Sequence, residues 1–234
     1  MKMKKHLKIF LSILGKVLLV SIIPAVFYGV FYGVAYLLGA NKYSSAIETF
    51  VLDIFTLLFI FLFFKYYLLE VQKSVIKGTL SIKRFVRLIP ISLLVRLPLV
   101  VTIVILYIFF GDVVTETFDK GIEFQWSVFD DSSWWTVSLG FLSFVIIGPI
   151  HEELFFRGVI QRYLASKYST RSSLIYTSIV FALVHIEPSL IISTFFLGIA
   201  LGYISQKWNN IWYAIVLHML INLQPFIIQL LDRG

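Results

Sequence analysis

The stretch SLGFLSFVIIGPIHEELFFRG, residues 138–158, decides how this chain is read. Its first half is apolar on every side, as a helix surrounded by lipid must be. It then lays down His151, Glu152, Glu153 and Arg157 without leaving that apolar context. Ionisable side chains at such a depth are expensive, and they are functional candidates by default.

The rest of the chain repeats the apolar half. Of 234 residues, 59% are hydrophobic and 14% charged, and mean hydropathy is +0.91. Apolar segments fall at about 17–39, 46–69, 88–110, 134–150, 172–186, 189–205 and 209–230, each near the roughly 20 residues a span needs. They predict an all-α, polytopic transmembrane helical bundle of seven to eight helices. Residues 151–165 are amphipathic and extend the fourth segment; an eighth span arises if 7–16 or 151–165 counts alone. The runs argue against a membrane barrel, whose strands would alternate polar and apolar residues. Lys2, Lys4, Lys5 and Lys8 resemble the start of a signal peptide, but the apolar run behind them is too long for one and reads as a retained span. With no cysteine in the chain, disulfides, thiolate metal sites and a cysteine nucleophile are excluded.

The net charge of +7 is placed where topology needs it. Residues 65–87 hold Lys65, Lys73, Lys77, Lys83, Arg84 and Arg87 against Glu70, and 157–171 hold Arg157, Arg162, Lys167 and Arg171. Residues 111–133 hold Asp112, Glu116, Asp119, Glu123, Asp130 and Asp131 against Lys120. Positive-inside then puts the N-terminus, the 65–87 loop and the 166–171 turn in the cytoplasm, and the acidic loop outside the cell membrane. Trp126, Trp134 and Trp135 flank that outer boundary as an aromatic belt. The lipid bilayer explains the charge, and no nucleic-acid partner is needed. Gly29-xxx-Gly33 and Gly198-xxx-Gly202 read as close-packing pairs.

The ionisable residues within spans are Asp53, Arg96, Glu152, Glu153, Arg157, His185 and His218. Asp53 and Arg96 read as structural, the latter snorkelling toward the cytoplasm. Residues four apart on a helix share a face, so Glu153 pairs with Arg157 while Glu152 points elsewhere. Phe181 and His185 share a face, as do His218 and Asn222. Glu152 and His185 are equidistant from the turn at 165–172 and therefore level. At about 1.5 Å per residue, Asn222 climbs back to the His185 height and His218 lies one turn lower. Three segments can thus bring their polar residues to one pocket.

Such a pocket holds the parts of amide hydrolysis without a protein nucleophile. A carboxylate in apolar surroundings suits a general base, an imidazole can hold the same water, and a second His with Asn can donate to an oxyanion. The alternative uses Glu152, His185 and His218 as three zinc ligands with one position open. The H-E-x-x-H motif is absent, since Phe155 occupies the second His position, and His151 reads as a bystander. No serine lies in a Gly-x-Ser-x-Gly setting. A buried salt bridge and core histidines would account for each pair singly, but less well for all three at matching depth.

Glu152-Glu153-xxx-Arg157, Phe181-xxx-His185 and His218-xxx-Asn222, flanked by Gly148-Pro149 and Gly158, resemble the three motifs of the CPBP family. These are the CAAX-protease and bacteriocin-processing intramembrane proteases, also called Abi. The resemblance covers residues 134–230. It divides the chain into N-terminal membrane helices with an outer acidic loop (1–133) and a catalytic region (134–234). It implies an endopeptidase that cuts a peptide or protein substrate near the cytoplasmic face. Glu152 would activate water with His185, His218 and Asn222 would bind the oxyanion, and Glu153 with Arg157 would hold the helix. It also implies roles in bacteriocin self-immunity or peptide maturation, with zinc and a metal-free mechanism both open. Two other readings remain at this point. One is a non-catalytic immunity or scaffold protein of the same fold. The other is a small transporter with a Glu/His proton relay.

Overall fold

A computed structural model describes residues 2–37, 45–65, 69, 80–111, 133–185 and 191–231. Among these residues every regular element is helical. Seven helices follow in order: α1 Lys2–Leu37, α2 Ser45–Phe63, α3 Ile82–Phe110, α4 Trp134–Ala165, α5 Thr170–Val184, α6 Ile191–Lys207 and α7 Trp212–Leu231. Residues 7–16 lie inside α1 and 151–165 inside α4, so neither makes a separate span. Five helices are long and apolar enough to cross a membrane, and α5 and α6 are shorter apolar rods. Leucine, isoleucine, valine and phenylalanine side chains stand exposed along α1 to α3. A water-soluble protein does not carry apolar patches of that extent, and this is a multi-pass membrane protein. The acidic loop, Trp126 and most of the 65–87 loop lie outside the described residues.

Local chemistry sets the ends and bends. Ser169 caps α5, accepting from the Ser172 N–H at 3.2 Å. Asn209 takes a left-handed conformation, φ 47°, and Asn210 accepts from the Trp212 N–H at 2.9 Å, so these two residues turn α6 into α7. Helix α3 breaks at Val95–Arg96, where Pro98 has no N–H to continue the ladder. Helix α4 stays continuous past Pro149 by widening. Phe141–Ile147 bond in the five-residue π register, and the Gly148 N–H reaches back to Ser143. A Cβ at Gly148 would come 2.9 Å from the Ser143 oxygen, so the widened turn requires glycine there. A second π stretch, Leu154–Gln161, follows immediately.

The main core joins α1 through Ile9 and Ile13, α2 through Phe59 and Ile60, α4 through Phe155 to Leu164, and α6 and α7 through Leu201, Tyr213 and Leu217. A smaller cluster, Val145 and Phe226 with Phe141 and Phe144, packs α4 on α7 nearer the other end. Glu153 and His218 stand between the two.

The glycine pairs separate. Gly29 and Gly33 face open space, so they do not pack helices among the described residues. At Gly198 a Cβ would sit 3.0 Å from the Ser178 Cα, and at Gly202 it would meet Leu174 and Gln161. These glycines let α6 close on α5 and α4. Gly198→Leu should therefore destabilise the protein by about 1–3 kcal/mol through overpacking. Gly29→Ala should be neutral within about 0.5 kcal/mol, or slightly stabilising. Urea unfolding of both variants in detergent checks the contrast.

Candidate active site

Three helices assemble the site. Helix α4 supplies Glu152, Glu153 and Arg157, α5 ends on Phe181 and His185, and α7 supplies His218 and Asn222. The wide π turns suit the α4 pair: a turn holding more than 3.6 residues brings positions four apart closer to alignment. Arg157 Nε lies 3.0 Å from Glu153 Oε2, with both side chains essentially sealed. The contact is an ion pair rather than a well-aligned hydrogen bond. The other oxygen, Glu153 Oε1, accepts from His218 Nδ1 at 3.1 Å. Arg157 Nη2 donates to the Gly198 carbonyl at 3.2 Å, and its guanidinium lies 4.7 Å from the Phe181 ring centre. One carboxylate thus links α4 to α7, and one guanidinium links α4 to α6 and α5.

Glu152 is arranged differently. Its Oε2 is covered but has no hydrogen-bond partner among the described residues. It stands 3.8 Å from His185 Nε2, and the two side chains remain 28% and 32% exposed. The His185 tautomer follows from its other nitrogen. Nδ1 lies 2.7 Å from the Phe181 carbonyl, which can only accept, so Nδ1 carries the proton. In neutral His185 the Nε2 lone pair then faces a carboxylate oxygen. Two acceptors 3.8 Å apart favour something beside them that donates two hydrogen bonds or carries positive charge. Water satisfies the first description and a metal cation the second.

His218 turns Nδ1 to Glu153, and among the described residues no group of three His, Cys, Asp or Glu stands close enough to hold a metal ion. Asn222 Nδ2 donates to the Phe144 carbonyl at 2.9 Å. In π register that carbonyl would be answered by residue 149, which is proline and has no N–H. Asn222 therefore ties α7 to the widened turn before Pro149 and keeps one further amide hydrogen.

Phe181 is the hub. Its ring touches Arg157, His185 at 4.5 Å and His218 at 6.0 Å between ring centres. Three further polar contacts were not foreseen. Gln161 continues the Glu153, Arg157 ladder by one more four-residue step and donates to the Gly202 carbonyl at 3.4 Å; the spacing alone could have found it. His151 is paired, with Nε2 3.1 Å from Asp53 Oδ1 on α2. Arg96 turns inward, donating to Gln224 Oε1 at 2.7 Å and to the Ile221 carbonyl. Neither of these last two contacts has a local spacing signal.

With this geometry in place, comparison with known proteins gives one match. A family model described as Rce1-like, Type II CAAX prenyl endopeptidase Rce1-like, matches residues 133–224. The matched stretch contains all seven motif residues from Glu152 to Asn222, including Phe181. No curated protein and no solved structure matches the chain.

Proposed function

We propose that this protein is an intramembrane endopeptidase that hydrolyses a peptide bond with water activated by Glu152 and His185. The observation that carries the reading is the pair of acceptors, Glu152 Oε2 and His185 Nε2, 3.8 Å apart on partly exposed side chains. A water donating to both becomes a better nucleophile as Glu152 takes its proton, and the acid formed can pass that proton to the leaving amine. His218 already gives Nδ1–H to Glu153, so it donates to an oxyanion from Nε2 only when both ring nitrogens carry protons. Asn222 offers its second amide hydrogen. Glu153 and Arg157 hold the wall on which Glu152 stands.

The substrate is a membrane-associated peptide or protein cut near the cytoplasmic face, with the N-terminus of the chain on that side of the cell membrane. Roles in bacteriocin self-immunity or peptide maturation follow from the family likeness. The test is cleavage of a library of fluorogenic, membrane-anchored peptides by purified protein in lipid vesicles. Cleavage that persists in Glu152→Gln overturns the mechanism. Proton or solute flux in the same vesicles, with no cleavage, would identify a transporter instead.

The donor geometry gives a metal prediction. Cleavage should survive exhaustive chelation, because only two of the three zinc candidates converge. Zinc bound at one per chain, with activity lost on chelation and restored by zinc, would replace the water mechanism with a metal one.

A further inference from the structure

Arg96 lies outside the matched region, on a different helix from every motif residue, and yet it touches the helix that carries two of them. Helix α7 contains Pro225. Proline has no N–H to return to the carbonyl four residues back, which is Ile221, and its ring crowds that turn. Arg96 Nη2 donates to this same Ile221 carbonyl. Its Nε holds Gln224 Oε1 at 2.7 Å, and Gln224 Nε2 in turn donates to Ser92 Oγ at 3.0 Å. The guanidinium is half-buried between α3 and α7. It is delivered there by the break at Val95–Arg96, so a broken helix supplies the donor that a proline-containing helix lacks.

We infer that Arg96 is a positioning residue. By capping the carbonyl freed at Pro225, it fixes the segment of α7 that aims His218 and Asn222. The inference rests on the protease reading for its effect on catalysis. Ile221 is adjacent to Asn222 and less than one turn from His218, so a shift at this carbonyl displaces both donors. Asn222 uses the same device at the other helix, answering the carbonyl that Pro149 cannot. Helix α7 is thereby held on two sides at proline-freed carbonyls, by α3 through Arg96 and by α4 through Asn222.

The test is a double-mutant cycle in the full-length protein. Arg96→Leu should lower kcat by on the order of 10–100-fold, as misplaced transition-state donors do, with KM nearly unchanged. Pro225→Ala restores an N–H opposite Ile221, so the kcat loss and the fall in unfolding midpoint caused by Arg96→Leu should shrink to roughly half or less in that background. Equal losses in both backgrounds, or a rise in KM with kcat intact, overturn the inference. Should Arg96→Leu not survive purification, Arg96→Lys is read the same way, because a lysine ammonium cannot span both acceptors as the guanidinium fork does. The unfolding arm needs no cleavage. Absent coupling there sinks the clamp, whereas intact coupling in a protein that cuts nothing sinks only the protease reading.

Discussion

Arg157→Leu is expected to lower unfolding free energy by about 3–5 kcal/mol, because it leaves a buried carboxylate without its main counter-charge. Glu153 is fully sealed and Arg157 nearly so, and neither can turn to water. After the substitution Glu153 retains only the His218 contact at 3.1 Å. The Gly198 carbonyl loses a donor and the Phe181 ring loses its cation. Glu153→Ala should cost a similar amount for the converse reason, stranding the guanidinium. Arg157→Lys should rescue little, since a single ammonium cannot pair with Glu153, donate to Gly198 and stack on Phe181 together. Thermal or urea unfolding in detergent measures this, and a loss below about 1 kcal/mol would show that the pair is not sealed as described.

The neighbouring glutamate should behave in the opposite way. Glu152→Gln is expected to reduce cleavage by on the order of 10²–10⁴-fold, the usual contribution of a positioned general base. It should leave stability almost unchanged. Among the described residues Glu152 Oε2 has no hydrogen bond to lose, and the side chain is partly exposed. The amide is nearly isosteric but cannot take a proton from water. Peptide turnover and unfolding are measured on the same preparations. Glu152→Gln should then retain the fold and lose the reaction, while Glu153→Ala loses the fold first. If both substitutions cost stability equally, the division of labour between the two glutamates is wrong.

The span pattern was legible because lipid imposes a single crude rule on side chains. The segments at 172–186, 189–205 and 209–230 correspond to α5, α6 and α7 within a few residues. The Glu152–His185 meeting was legible because a tight turn fixes the relative heights of two antiparallel helices. The π turns of α4 were not foreseen. Proline flags a kink, but whether the helix bends or widens depends on the packing around it. His218 met Glu153 rather than Glu152, since depth arithmetic fixes height and leaves rotation about the axis free. The Asp53–His151 and Arg96–Gln224 contacts join residues 98 and 128 positions apart, and no periodicity links such distant positions. The same limit explains the glycines. Both pairs have the spacing for close approach, but among the described residues only Gly198 and Gly202 meet a neighbouring helix.

Arg157 and Gln161 stand one four-residue step apart on α4, and they hold carbonyls one four-residue step apart on α6. The two helices are therefore engaged like matched teeth. A displacement of α6 along its axis by a fraction of a turn releases both bonds at once. A full turn, about 5.4 Å, would bring Gln161 to Gly198 and leave Arg157 facing Thr194, which has a side chain where the glycines have none. Axial sliding is thus locked between stops. Motion that admits a substrate to Glu152 is left to rocking or lateral parting of the helices, with the α4–α6 seam serving as the fixed rail.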